Sequence, residues 1–202
     1  MRALAIACAV LILTQDAQAA PSFNCNKATA TAEKEICRVP NLQWFDRQLA
    51  RLYKLAREQA GANTPAIIAS QRDFIESRNA CNADNVCIES AYKTRLTELS
   101  PQVNVYEPFA EYRAAHGTLT IVRFGLEAGL NILTVGDNGH TCVFETDHAT
   151  VGGKGVVRWN DKSCRITIVP NDSEASLVVE TKNCQDYCGM RAVMDGTYSR
   201  AN

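Results

Sequence analysis

Several groups of side chains in this 202-residue chain have types and spacings that could do chemistry. Asp46, Gln71 and Arg78 fall on otherwise apolar helical faces, where a buried Asp with an Arg partner is either a catalytic carboxylate or a structural ion pair. No nucleophile or metal ligand accompanies them in the pattern, so they read as a structural polar network that includes Gln71. His140, Cys142, Asp147 and His148 cluster closely enough to raise a zinc site, with His116 the remaining histidine. Cys142 is expected to be oxidised, and the two histidines fall on turn-like segments without the i, i+4 spacing that would converge them, so no metal is expected. Glu145 and Asp147 would share one face of a strand, as a glycosidase's two carboxylates share a cleft, but nothing in the sequence signals a raised pKa. No serine nucleophile elbow, phosphate-binding glycine loop or H-E-x-x-H occurs, and neither a catalytic nor a cofactor-binding residue is expected. Gly152, Gly153, Lys154 and Gly155 lack the Walker pattern and read as a mobile β connection. A flexible loop with one Lys is also a candidate partner-binding loop, suited to an acidic cleft. Trp44 and Trp159 are expected in the core; exposed, they would be interface anchors.

The cysteines set the compartment. Residues 1–19 carry Arg2, an apolar run from Ala3 to Thr14, and Ala17-Gln18-Ala19, which together predict a cleavable signal peptide. Cys8 lies inside that run without the branched residue three positions earlier that a lipoprotein site uses. The run is too short for a membrane anchor and no later stretch approaches the roughly 20 apolar residues that spanning requires, so no membrane association is expected after cleavage. What remains is an even set, Cys25, Cys37, Cys81, Cys87, Cys142, Cys164, Cys184 and Cys188, which in an exported chain reads as a disulfide framework. The spacing forms four short-range couples, and low loop-closure cost predicts local pairing: 25 with 37, 81 with 87, 142 with 164, and 184 with 188. Net charge is −1, which predicts no pull toward nucleic acid.

The elements that must position these groups fall into two halves. Apolar residues repeat at three and four between 29 and 99, then alternate or come in short β-branched bursts from 119 onward, so the period changes near residue 105. Residues 20–104 are read as a helical domain and 105–202 as an antiparallel β domain, with 100–108 a linker carrying Pro101 and Pro108. Helices are expected over 29–38, capped by Thr29 or Thr31 and ended by Pro40; over 42–61; from a Thr64 cap with Pro65 first; and over 86–99. Strands are expected over 118–124, 130–135, 141–145, 155–159, 165–169, 176–180 and 190–198. Their turn signals include Asp137-Asn138-Gly139 and Pro170-Asn171-Asp172. The fold class is α+β: a small disulfide-linked helical bundle followed by an antiparallel β-meander, closed as a barrel or folded as a sandwich. The first half carries 11 basic and 9 acidic residues and the second 9 and 12, an asymmetry that mildly favours a basic partner for the β half.

The first half also carries an ordered pattern: Phe23-Asn24-Cys25; Glu33-Lys34-Glu35-Ile36-Cys37; Leu42, Asp46, Leu49 and Tyr53; Gln71, Phe74, Arg78 and Cys81; Cys87, Tyr92, Arg95 and Leu99. It resembles the LprI-like lysozyme inhibitor N-terminal domain family over roughly residues 22–100. This chain departs from that family at Phe74, where Trp is common, and at Ala30-Thr31, where a Thr-Pro pair enters the first helix. The resemblance implies a compact, disulfide-linked helical module in an exported protein, with lysozyme inhibition attributed to some members. The expected function is therefore non-enzymatic binding of an exported protein, a lysozyme being the most concrete target, by occluding its cleft. The alternative is a binding module for a small molecule or cell-wall fragment at the mouth of the β domain. The compartment is periplasmic or extracellular, and the oligomeric state is left open.

Overall fold

The structure, a computed structural model, describes residues 20–161, 163–171 and 175–201; the expected signal peptide, Cys8 and Asp172 lie outside them. Helices come first: α1 (Thr31–Arg38), α2 (Pro40–Gln59), α3 (Thr64–Ala80) and α4 (Asn85–Leu99). Pro40 does more than stop α1. It occupies the first position of α2, where its missing N–H is no loss, so only Val39 separates the two helices. Neither Thr29 nor Thr31 caps α1. Ala30 holds the cap position, and Glu33 reaches back to accept from the backbone N–H of Thr29 at 2.9 Å and of Ala30 at 3.1 Å. Thr64 is likewise the first residue of α3 rather than its cap, while α4 opens on Asp84, whose side chain accepts from the N–H groups of Val86 and Cys87. The apolar stripe of α2 (Leu42, Phe45, Leu49, Leu52, Ala56) packs on Ile36, Ile88, Tyr92 and Leu96.

Eight strands follow: β1 (Phe109–Ala114), β2 (Gly117–Arg123), β3 (Glu127–Val135), β4 (Thr141–Val151), β5 (Val157–Asn160), β6 (Arg165–Pro170), β7 (Ser176–Lys182) and β8 (Gly196–Arg200). Each pairs antiparallel with the next and β8 returns to β1, so the meander closes into a barrel rather than splitting into a sandwich. An eight-stranded barrel is just wide enough for its own side chains to fill. Tyr112, Leu119, Ile132, Phe144, Ile166 and Tyr198, all fully buried, belong to the core that does so. β1 begins directly after the expected linker; its inward face carries Ala110 and Tyr112, too few apolar residues for the alternation with Glu111 and Arg113 to stand out. The strand expected over 190–198 begins six residues later, as β8, and runs on to Arg200.

The helices sit on the outside of this barrel. β2 is buried on both faces along Leu119 to Arg123 because Ile121 points into the barrel core while Val122 joins the helical core, which is why it reads as an unbroken apolar run. Trp44 of α2 is fully buried and donates its indole N–H to the carbonyl of Thr146 at 3.0 Å. At the β-bulge between Ala128 and Leu130, Gly129 lets α2 approach closely: a Cβ there would stand 2.2 Å from Oε1 of Gln48.

The disulfides depart from local pairing in the β half. Cys25–Cys37 and Cys81–Cys87 close short loops, but the other two bonds are Cys142–Cys188 and Cys164–Cys184. The reason is sheet register. Arg165 pairs with Lys182 across the β6–β7 hairpin, and Asn183, in the left-handed region at φ 58°, turns the chain so that Cys184 comes within 4.5 Å of Cys164, Cα to Cα. Residues 183–195 then cross one end of the barrel, where an isolated bridge sets Cys188 beside Cys142 at the start of β4. The carbonyl of Val193 accepts from the hydroxyl of Thr134 and that of Met190 from the side-chain amide of Asn138. One barrel end is thereby stapled shut. Four disulfides are the usage of an oxidising compartment, and among the described residues no helix is long and apolar enough to cross a membrane.

Candidate functional site

Among the described residues, the barrel's other end is open. There the segment after α4, the β2–β3 turn, the β4–β5 connection and the facing ends of β6 and β7 surround a cavity of about 350 Å³. Its walls are apolar: Val105, Leu126, Val151, Pro170 and Leu177. Tyr106 and Leu126, 68% and 78% exposed, stand beside the opening. The polar groups that line it are concentrated around Arg123, which is only 5% exposed. Its Nη1 donates to the backbone carbonyl of Glu107 at 3.2 Å and lies 3.4 Å from the Glu107 carboxylate. Arg200 of β8 donates to the other oxygen of that carboxylate. Two guanidiniums therefore share one carboxylate. Tyr112 also lines the cavity beside Arg123; burial, then the Glu107 charge, pushes its phenol up, so the hydroxyl stays a neutral donor. Glu107 itself holds a left-handed backbone conformation, φ 43°, which costs a non-glycine residue energy and is found where surrounding contacts over-determine it.

Gly152, Gly153, Lys154 and Gly155 lie on the rim of this opening. Gly152 and Gly155 line the cavity, residues 153–155 form a short 3-10 turn, and Lys154 takes φ 57°. Arg158 approaches the same turn, its Nη1 3.1 Å from where a Cβ on Gly152 would be.

A second concavity, about 840 Å³, lies where α2 meets β4 and is lined by Arg47, Glu145, Asp147, His148, Asp161 and Asp186. Its geometry binds the two halves together. Asp147 accepts from Arg47 Nε at 2.7 Å and from the Gln48 amide at 2.6 Å, while its backbone carbonyl accepts from Arg51 at 2.6 Å. Glu145 departs from the expectation of an ordinary carboxyl. Burial, opposed by Arg47 and reinforced by the Asp147 charge, pushes its pKa up. Asp147 is thus occupied as a structural acceptor, whereas Glu145 has a long 3.5 Å contact from Asn131.

The other residues singled out from sequence are dispersed. Cys142 is disulfide-bonded, His148 on β4 is largely exposed with Nδ1 3.8 Å from Glu127, and His140 sits in the β3–β4 hairpin against Gly189. His116 lies at the closed end, its ring 5.6 Å from that of Tyr198. Among the described residues no group of three or more His, Cys, Asp or Glu is placed to hold a metal ion. Trp159 packs edge-on against Phe144 and Tyr187.

Asp46 and Arg78 meet inside the helical core. Arg78 lies 3.9 Å from Asp46 and donates to the Tyr92 hydroxyl at 3.2 Å, and Tyr92 donates to Asp46 at 2.8 Å. Glu33 of α1 approaches Arg78 at 3.8 Å. Gln71 does not complete this set; it accepts from Arg95 at 2.9 Å, in a separate cluster with Ser70. Glu33, Asp46, Arg78 and Tyr92 tie α1, α2, α3 and α4 to each other.

The groups sequence reasoning missed are Glu107, Arg123 and Arg200. Arg123 had a signal, a charge at the end of the apolar run Leu119-Thr120-Ile121-Val122; Glu107 had none, because its role rests on backbone conformation and on a partner 93 residues away. Compared with protein-family models, with curated proteins and with solved structures, the chain shows no match to any of them.

Proposed function

We propose that this is a periplasmic or secreted binding protein that works without catalysis and uses the open end of the barrel to engage another exported protein, a lysozyme being the concrete target. The observation that carries this reading is the composition of that end: exposed Tyr106 and Leu126 beside a cavity, with Lys154 on the rim and Arg123 and Arg200 behind it. Aromatic and aliphatic side chains exposed around a pocket are what interfaces use as anchors. A cation placed beside them, Lys154, suits an acidic groove such as a glycosidase cleft with its paired carboxylates. The resemblance of residues 22–100 to the LprI-like family supports the same target class. Occlusion would then block substrate entry.

The test is lysozyme activity on cell-wall substrate with the purified, oxidised protein, using c-type and g-type enzymes. Inhibition at micromolar concentration that is lost in Lys154→Glu and Leu126→Asp supports the reading. No inhibition, or inhibition indifferent to both variants, overturns it.

A second reading is favoured by the cavity itself, whose volume falls at the low end of the range of small-molecule sites. Here the barrel mouth receives a small molecule or cell-wall fragment.

A further inference from the structure

We propose that the open-end cavity binds a small amphiphilic carboxylate, its headgroup received by Arg123, whose Glu107 partner Arg200 shares, and its hydrocarbon part by Val105, Leu126, Val151 and Leu177. The proposal rests on the second reading, that the cavity is a ligand site, and adds its chemistry. Charge decides the headgroup. Arg123 and Arg200 both contact Glu107, so one carboxylate answers two guanidiniums, and Arg123 is almost wholly buried. A buried cation that is only partly answered attracts a second anion, and the guanidinium fork matches a carboxylate geometrically. Arg123 holds Glu107 loosely, at 3.4 Å to the carboxylate, which leaves donor capacity for an exchange. Tyr112 lines the cavity beside Arg123.

Shape decides the rest. The lining beyond this cluster is hydrocarbon, and at about 350 Å³ it holds a short chain rather than a long lipid. The remainder of the barrel interior is filled by its own side chains, so the ligand occupies the mouth and not a full calyx. Strain fits this placement. Glu107 is kept in the left-handed region by contacts that come from two strands, β2 and β8, and strained residues of this kind gather at ligand clamps.

The test is isothermal titration of the full, oxidised protein with octanoate and decanoate, and with octanol, decanol and acetate as controls for tail and headgroup. Leu126 and Arg200 are altered rather than Arg123, because both are exposed enough to change without unfolding the barrel. Decanoate is expected to bind saturably at one site and decanol about tenfold more weakly or less, the difference expected of a charge-assisted hydrogen bond. Arg200→Gln should weaken decanoate by about tenfold and leave decanol unchanged. Leu126→Ser should weaken both. Equal binding of decanoate and decanol, indifferent to Arg200→Gln, overturns the carboxylate assignment while the cavity remains a ligand site. Absence of saturable binding by any probe, or binding indifferent to both substitutions, overturns the ligand-site reading along with it.

Discussion

At the scale of single residues, the helical half turns on Arg78, a guanidinium 5% exposed that reaches Glu33, Asp46 and Tyr92 on three other helices. Burying such a charge is tolerable only while its partners stay ionised or polar. Tyr92 transmits the pairing: its hydroxyl accepts from Arg78 and donates to Asp46, and burial, reinforced by the Asp46 charge, pushes its pKa far above the ordinary range, so it never competes as an anion. Asp46→Ala should therefore cost about 1–3 kcal/mol in urea denaturation, because it leaves the buried Tyr92 hydroxyl without its acceptor and Arg78 to the Glu33 carboxylate at 3.8 Å. Asp46→Asn and Arg78→Gln together should cost less than the sum of the single changes by more than about 0.5 kcal/mol. Strict additivity would show that the two charges are neighbours without being partners.

At the scale of elements, the two kinds of disulfide do different work. Cys81–Cys87 spans 6 residues and clamps the α3–α4 turn, worth about 2 kcal/mol by the loop-entropy estimate, whereas Cys142–Cys188 spans 46 and is worth about 4 kcal/mol. Replacing Cys142 and Cys188 with Ala should lower the melting temperature more than replacing Cys81 and Cys87, and should open residues 183–195 to proteolysis. Non-reducing peptide mapping should recover 142 linked to 188 and 164 linked to 184; recovery of 184 linked to 188 would refute the closed end. This pairing was not legible in the sequence, because loop length says nothing about which strands a register sets side by side. The helices were legible. The three-and-four spacing of Leu42, Phe45, Leu49 and Leu52 survives into the packed core unchanged, and Pro65 marks a helix start whatever the tertiary context, whereas Pro40, read as a stop, is also the start of α2. Strands with one hydrophobic face, such as β6 and β7, were legible by alternation. Asp147 was not, since the arginines and glutamine that claim it lie about 100 positions earlier and no local pattern links them.

At the scale of the whole molecule, the helices and barrel are joined by a polar seam around Trp44, and that seam responds to pH. Lys93 of α4 lies 2.5 Å from Glu111 of β1 and 2.8 Å from Glu89. Burial pushes the Glu111 carboxyl up, but the hydrogen bond and charge of Lys93 outweigh it and hold the pKa below its ordinary 4.5. Burial likewise works against the Lys93 ammonium, yet Glu111 and Glu89 hold its pKa above its ordinary 10.5. A carboxyl depressed by folding contributes stability that is complete above pH 4.5 and is lost as pH falls through the lower folded value. The raised lysine contributes stability complete below pH 10.5 and lost as pH rises through the higher folded value. Between those limits the pair holds α4 against β1 at full strength. Glu111→Gln should lower stability at pH 7 by about 1 kcal/mol and flatten the acid limb of a stability-versus-pH curve measured by urea denaturation, so that variant and parent converge toward low pH. Lys93→Met should flatten the acid limb and the alkaline limb together, because it removes the cation that both carboxylates answer. Curves that stay parallel to the parent's from acid to neutral would mean that the seam is held by Trp44 and Asp147 alone, with the Lys93 pair a bystander on its edge.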